Sequence, residues 1–298
     1  MGVILSVLIP AYGNAEGVDR ILSNFREDPP DELEILISDD SRDEQVNQLV
    51  TDFSRQYFGK LKYRRNQPGL GAVVNWNSLL TQASGDYILL LHHDEYPLVD
   101  RFAWQVLELL SKTPAVDVFV MDCILMSPTG SKARPHLPRV IRNLFIRHFP
   151  SYLFKRNVIG PASCLIVRRT LYPQFDECLR WLVDVEAYFR LRQHTVRWNF
   201  CSELKIGSTL GRKDSITASI KDELEQIDFR ERTYLLHKYP VAEVWLAPRL
   251  HWALNMLETV AWGAMRIVTR VWYRIAHFSR LASFSTPYLQ RTTKNDHK

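Results

Sequence analysis

Histidine and acidic side chains directly follow an apolar run near residue 90 of this 298-residue chain. The stretch reads YILLLHHDEYP and places His92, His93, Asp94 and Glu95 at the end of a predicted strand. Such a group could bind a transition metal, exchange protons, or hold a hard cation through carboxylate oxygens. Neighbouring residues of a strand point to opposite faces, so a single zinc ion seldom takes both histidines. The favoured interpretation is a cation that Asp94, with or without Glu95, holds against diphosphate oxygens.

A second acidic pair occurs in the stretch WLVDVEAYFRL, which contains Asp184 and Glu186. Residues i and i+2 of a helix point about 200° apart, so only one of these two carboxylates can face a given cleft. Their apolar neighbours predict partial burial, and a partly buried carboxylate can serve as a general base. The alternative is a structural role, either as charge at a helix N-terminus or in a salt bridge to Arg190.

The first half of the chain alternates β-branched apolar runs with amphipathic segments. This alternation predicts an α/β fold with a mostly parallel sheet and helices on both faces. Ligands bind such sheets at the carboxyl ends of the strands, where we expect a functional site. The alternative is that the acids at the strand ends only cap the helices that follow. Capping accounts more easily for one polar strand end than for four such ends together. The polar residues at these ends are Tyr12, Asn14, Asp39, Asp40, Asn66 and the run from His92 to Glu95.

Several other kinds of site find no support in the sequence. No Walker A sequence or GxSxG elbow occurs, and the glycine-rich NQPGLGA lacks the dinucleotide-binding spacing. The four cysteines form no CxxC pair, which favours free thiols over zinc ligands or disulfides. The beginning of the chain lacks the features of a signal peptide, and no apolar run approaches the ~18 residues of a membrane-spanning helix, so we expect neither.

The net charge of +5 is concentrated toward the end of the chain. Residues 245–298 contain a basic excess, and residues 249–276 have the pattern of an amphipathic helix that either packs on its own domain or lies in a membrane interface. Residues 132–156 are also basic and aromatic, without an acid. We predict a domain at 1–240, with halves 1–126 and 127–240, and a C-terminal amphipathic helix and basic tail at 241–298. An anionic membrane is the favoured partner over nucleic acid, since no nucleic-acid-binding module occurs.

The ordered motifs SVLIPAYGN, ILISDDS, RNQPGLGAVVNWNSLLTQASGDYILLLHHDE, GPASCLIVRR and FDECLRWLVDVEAYFRL resemble those of an inverting family 2 glycosyltransferase. The resemblance extends over about residues 3–217 and implies the GT-A fold, which is Rossmann-like. His92, His93 and Asp94 occupy the DxD motif in the variant form HHD. His92 thus stands in place of the first aspartate.

The resemblance also implies roles for individual residues. Asp39 matches the acid that accepts a hydrogen bond from a pyrimidine base, Asp94 the ligand of a divalent cation, Mn²⁺ or Mg²⁺, and Asp184 the catalytic base. The loop STLGRKDSIT lacks the metal-binding histidine of many members, so Arg212 and Lys213 are expected to contact the diphosphate directly. The residues expected at the donor nucleotide are Pro10, Ala11, Tyr12, Glu16, Asp39, Asp40, Asn66, Gly71, Asn77, His92 and His93.

The function implied is transfer of a sugar from a UDP- or dTDP-sugar to a hydroxyl of a glycan or lipid-linked acceptor. A role in cell-surface polysaccharide synthesis follows, in the cytoplasm and peripherally at the inner face of the cytoplasmic membrane. Two alternatives stay open. One is a catalytically degenerate GT-A module that only binds nucleotide sugar. The other is a nucleotidyltransferase, although the chain lacks the basic glycine-rich loop usual after the first strand of that class.

Overall fold

The computed structural model describes residues 2–127, 133–137, 139–209 and 221–239, together with residues 256, 259, 260, 263 and 264. The chain divides into two compact units, Met1–Glu243 and Val244–Lys298. Arg212, Lys213 and most of the C-terminal segment lie outside the described residues. Among the residues described, no helix combines the length and apolar character needed to cross a bilayer.

Within the described residues, nine strands form one mixed sheet in the order β3-β2-β1-β4-β8-β6-β9-β5, with β7 paired to β6. The first three strands in the chain and β4 run parallel, as the alternating sequence predicts. The strands are β1 Leu5–Ala11, β2 Leu33–Asp39, β3 Lys60–Arg65, β4 Tyr87–Leu90, β5 Glu95–Pro97, β6 Val118–Met126, β7 Ala133–Pro135, β8 Leu165–Arg168 and β9 Trp198–Thr209.

Antiparallel pairing enters the second half of the sheet. Strand β8 runs antiparallel to both β4 and β6, and β5 runs antiparallel to β9. The start of β8 therefore lies at the same edge as the end of β4, where Leu89 pairs with Ile166. Strand β5 has only three residues and begins inside the HHDE stretch, so its local pattern is too short to reveal it. Pairing with the longer β9 defines it.

The described residues up to 239 contain seven α-helices. Helix α1 begins after Asn14, whose side chain accepts a hydrogen bond from the Gly17 N–H at 2.9 Å and so caps the helix. The basic stretch after residue 132 contains a helix, α5, that the sequence analysis did not predict. The helices are α1 Ala15–Ser23, α2 Gln45–Ser54, α3 Ala72–Gln82, α4 Phe102–Lys112, α5 Arg139–His148, α6 Val183–His194 and α7 Leu224–Lys238.

Candidate functional site

The carboxyl ends of the parallel strands meet at one edge of the sheet. Ala11 at the end of β1 pairs with Asp39 at the end of β2, and Asn66 follows β3 and donates its backbone N–H to the Asp39 carbonyl. Leu91, after β4, donates its N–H to Leu8 of β1. The structure thus places the four predicted polar strand ends on adjacent strands of one sheet edge.

His92 forms a buried pair with Glu95 at this edge. Its Nδ1 lies 3.2 Å from the Glu95 Oε2, and only 15% of the His92 side chain is exposed. Glu95 also accepts a hydrogen bond from the Ser163 hydroxyl, in the short turn that precedes β8. The imidazole ring lies 4.6 Å from the Trp76 ring. Trp76 on α3 thus packs against the His92 ring.

Charge around His92 favours its protonated form. Burial by itself lowers the pKa of His92, but the Glu95 carboxylate, with the charges of Asp184 and Asp94, outweighs it and raises the pKa to about 9. Burial raises the pKa of the Glu95 carboxyl, and the imidazolium opposes that rise. His92 is therefore a cation at neutral pH. Its Nε2 is buried and forms no hydrogen bond with any residue that the structure describes.

Asp184 lies in the first turn of α6, and its side chain is half-buried. Burial raises the pKa of Asp184, the His92 charge lowers it and the Glu95 charge raises it, and together they bring the pKa to about 6. The Oδ1 atom is buried, and no described residue donates a hydrogen bond to it. Tyr172 lies close enough for the Asp184 charge to help raise its pKa, although burial contributes more. A carboxylate with a pKa near neutrality and an unused acceptor atom can take a proton from a substrate.

Glu186 is fully buried, and its carboxylate is consumed by contacts within the chain. Its Oε2 accepts a hydrogen bond from Arg190 at 2.7 Å, while Oε1 accepts from Lys238 at 2.9 Å and from the Tyr239 hydroxyl at 2.6 Å. The salt bridge to Arg190, one of the two sequence interpretations, therefore applies to Glu186. Asp184 is left as the carboxylate with an open acceptor.

Asp39 and Asp40, the predicted nucleotide contacts, bond chiefly to their own chain in this structure. Asp39 is fully buried, and its two oxygens accept hydrogen bonds from the Ser41 N–H and the Tyr63 hydroxyl, each at 2.8 Å. Asp40 accepts from the Asn66 amide and from the Gly71 N–H, also at 2.8 Å. Gly71 has a φ of +84°, so this approach to Asp40 favours glycine. The role of both acids at the nucleotide stays a prediction.

Asn77 connects two parts of the chain in this structure. Its Nδ2 donates to the Phe175 carbonyl at 2.9 Å, and its Oδ1 accepts the Phe175 N–H at 2.7 Å. Phe175 also packs against Trp76, with ring centroids 5.3 Å apart. Asn77 therefore holds the segment that leads toward α6 against α3, a long-range role that the sequence interpretation did not contain.

The loop between β1 and α1 presents the remaining predicted nucleotide residues. Pro10 and Ala11 are buried at the end of β1, the Tyr12 side chain is half exposed, and Glu16 is exposed and paired with Arg20. These positions leave Tyr12 accessible to a ligand at the strand ends.

The loop that follows β4 is attached to α1. The His93 carbonyl accepts a hydrogen bond from the Asn14 side chain at 3.1 Å. A methyl group at Gly17 would lie 1.8 Å from the same carbonyl oxygen, so only glycine allows this approach. The position of the HHD stretch therefore depends on the start of α1.

Asp94 is the residue that best fits a divalent cation. Its side chain is half-buried and forms no hydrogen bond with any described residue, so its oxygens are available. The described residues contain no group of three or more His, Cys, Asp or Glu side chains arranged to hold a metal ion. A cation here would need oxygens from a diphosphate and water to complete its shell, which is the usual arrangement for Mg²⁺ on phosphates.

Sequence reasoning missed the roles of Ser163 and Tyr63 and the pairing of Glu95 with His92. Glu95 is the fourth residue of HHDE, and a carboxylate three residues from a histidine is a local signal for such a pair. The contacts of Ser163 and Tyr63 join residues far apart in the chain, and no spacing rule predicts them. Arg212 and Lys213, expected at the diphosphate, lie outside the described residues.

The fold is similar to those of solved glycosyltransferases of the GT-A class. TarS of S. aureus, in complex with UDP-GlcNAc, superposes with a TM-score of 0.58 at 17% identity, covering 72% of this chain and 61% of that one. The mannosyltransferase PcManGT from Pyrobaculum calidifontis, in complex with GDP-Man and Mn²⁺, gives 0.57 at 15% identity, covering 94% and 81%. The predicted GT-A fold is confirmed.

Two curated relatives cover less of the chain. An uncharacterized protein of Mycobacterium tuberculosis, MT1568, is 29% identical over 202 residues, which are 63% of this chain and 61% of that protein. The abequosyltransferase RfbV of Salmonella typhimurium is 27% identical over 103 residues, 34% of this chain and 31% of that protein. The matches therefore span less than two thirds of the length of either relative.

The model of glycosyl transferase family 2 matches residues 6–174, more than half of the chain. The chain accordingly belongs to glycosyl transferase family 2.

Proposed function

We propose that this chain is an inverting glycosyltransferase that moves a sugar from a UDP- or dTDP-sugar to a hydroxyl group of its acceptor. Family membership and the GT-A fold support sugar transfer. The relatives include proteins solved with UDP-GlcNAc and with GDP-Man, so the fold accommodates different bases. The buried acid at Asp39 favours a pyrimidine here. For Asp39 to accept a hydrogen bond from the N3–H group of a pyrimidine, the base must reach the carboxylate that the Tyr63 hydroxyl contacts in this structure.

The observation that carries this proposal is the state of Asp184. It combines an unpartnered buried oxygen with a pKa raised to about 6, beside the cationic His92. At neutral pH most of the Asp184 carboxyls are ionised, yet each binds a proton more tightly than an exposed aspartate would. Those are the properties of a general base near its working pH.

The proposed step is a single displacement. The acceptor oxygen forms a bond to the anomeric carbon from the face opposite the diphosphate, and its proton moves to Asp184. The bond between the anomeric carbon and the diphosphate oxygen breaks, and its electron pair stays on the leaving diphosphate. A divalent cation held by Asp94 would neutralise charge on that diphosphate. Attack from the opposite face inverts the anomeric configuration.

We further propose a glycan or lipid-linked acceptor in cell-surface polysaccharide synthesis, used by a cytoplasmic protein bound peripherally at the inner face of the cytoplasmic membrane. Helix α5 supports membrane contact because it contains no acid and exposes Val140 and Leu144, 81% and 49% accessible, next to Arg147. Exposed apolar residues among basic ones suit an anionic lipid surface. Flotation of the full chain with anionic liposomes tests this, comparing Val140→Glu/Leu144→Glu with Phe229→Glu on α7. Equal flotation of both variants would contradict the proposal.

The donor is tested with a panel of UDP-, dTDP- and GDP-sugars in thermal-shift assays, with and without Mn²⁺ or Mg²⁺. A bound donor raises the melting temperature with the logarithm of its saturation. Selected donors are then assayed for release of the nucleoside diphosphate with glycan and lipid-linked acceptors. We expect Asp184→Asn to abolish transfer while UDP still binds. Binding without turnover by the wild-type chain would instead favour a module that only binds nucleotide sugar.

A further inference from the structure

A buried carboxylate on α7 caps the segment that leads into α6. Glu231 is only 6% exposed, and its oxygens face three successive backbone N–H groups. Oε1 accepts from Arg180 at 2.6 Å, Oε2 accepts from Leu182 at 2.8 Å, and both oxygens lie within 3.2 Å of the Trp181 nitrogen. The N-cap residue of α6, Leu182, provides no side-chain cap of its own. Glu231 therefore accepts from the N–H of the N-cap residue of α6 and of the two residues before it, and its charge suits that end of the helix.

Helix α7 holds the same segment at two further points. Lys238 and Tyr239 donate hydrogen bonds to Glu186, two residues after Asp184. Lys238 and Tyr234 also donate to the Asp176 carboxylate, at 2.6 Å and 2.8 Å. Residues 176–186 are thus attached to α7 before, within and after the turn that leads to Asp184.

Asp184 depends on this attachment for its position. No described residue donates a hydrogen bond to its Oδ1, so its backbone, rather than a side-chain contact to that oxygen, fixes where the oxygen lies. A general base must reach its proton within hydrogen-bond distance, and a displacement of about 1 Å can cost about a hundredfold in rate. The backbone of the Asp184 turn begins at the three N–H groups that Glu231 binds.

We propose that Glu231 is a positioning residue for Asp184, and that α7 is part of the active-site scaffold. This inference rests on the proposed function, in which Asp184 is the base. Helix α7 and Asp184 both lie beyond residues 6–174, the part of the chain that the family model matches. The contacts between Glu231 and residues 180–182 therefore lie outside the region that the family model matches.

The test compares Glu231→Gln with Glu225→Gln, an exposed glutamate on the same helix. Glutamine keeps the size of the side chain but removes its charge and turns an NH₂ group toward backbone donors. We expect faster amide hydrogen exchange over residues 180–186, with exchange in β1 to β4 unchanged. We also expect kcat to fall about tenfold or more, with the donor KM within about twofold of wild type. Turnover uses the nucleotide sugar selected by the panel, and kcat is divided by the fraction of molecules that bind UDP in a calorimetric titration.

That correction separates positioning from partial unfolding. A loss of activity that merely follows the loss of UDP-binding molecules would overturn the proposal, as would exchange and kcat equal to those of Glu225→Gln. Full activity of Asp184→Asn would instead refute the proposed base. The hydrogen-exchange result needs no substrate, so it tests the cap whatever donor the panel selects.

Discussion

The Nδ1 atom of His92 lies 3.2 Å from the Oε2 atom of Glu95, and the charges of both side chains act on the pKa of Asp184. His92 occupies the place of an aspartate in the motif that the sequence resembles. The pairing explains why a cation is tolerated there, because Glu95 supplies the opposite charge within the same loop. A histidine at position 92 therefore depends on the Glu95 carboxylate, three residues later, to balance its charge.

Restoring an aspartate at position 92 is expected to destabilise the protein. His92→Asp would place a third carboxylate near Glu95 and Asp184 and leave Glu95 without its cation. Removing one partner of a buried ion pair costs roughly 3–5 kcal/mol. Thermal unfolding at pH 7 should show a clear loss for His92→Asp and a partial recovery in His92→Asp/Glu95→Gln. If His92→Asp were as stable as wild type, the His92–Glu95 pair would contribute nothing to the free energy of unfolding.

Asp184→Asn is expected to unfold at a higher temperature than wild type at pH 7. The pKa of Asp184 is raised from 3.8 to about 6 in the folded state, so its ionised form opposes folding. That penalty is fully present above pH 6 and disappears as the pH falls below 3.8, where the carboxyl is protonated in both states. Melting temperatures measured across this range should converge at the acid end. A constant difference at every pH would assign the effect to packing.

The rate of transfer is expected to fall below about pH 6, with a slope of one in log(kcat/KM) against pH. Protonation removes the acceptor lone pair that Asp184 must offer to the attacking hydroxyl. His92→Gln should move this limb to a higher pH, because the imidazolium lowers the pKa of Asp184. A limb that stays in place in that variant would show that another group titrates.

Gly17→Ala is expected to destabilise the protein by about 1–3 kcal/mol, although alanine usually stabilises a helix. The added methyl group would lie 1.8 Å from the His93 carbonyl oxygen, so α1 or the HHD loop must shift. Ser23→Ala, at an exposed position of the same helix, is the matched control. Chemical denaturation measures both, and UDP titration reports whether the strand-end site is also disturbed. Equal stability of the two variants would mean that the loop yields without cost.

The first half of the fold could be predicted because its signal is local. Buried runs such as Leu5–Ala11 and Leu33–Asp39 alternate with amphipathic helices, and parallel strands must bring their carboxyl ends together. The strand-end residues, including Asp39 and Asp94, follow from that rule. The direction of β8 and the existence of β5 do not, since short strands take their direction from the partners they meet.

The sequence by itself determined the family, the parallel strands and the group of polar residues at their ends. It also offered Asp184 and Glu186 as alternative cleft carboxylates, since helix residues two positions apart point about 200° apart, and the resemblance matched Asp184 to the catalytic base. Only the tertiary structure shows how their surroundings differ: Lys238 and Tyr239, from a distant helix end, donate hydrogen bonds to Glu186, while the Oδ1 of Asp184 accepts none from any described residue. Periodicity describes which face of an element is apolar, whereas burial, charge and partners depend on residues that approach only after folding.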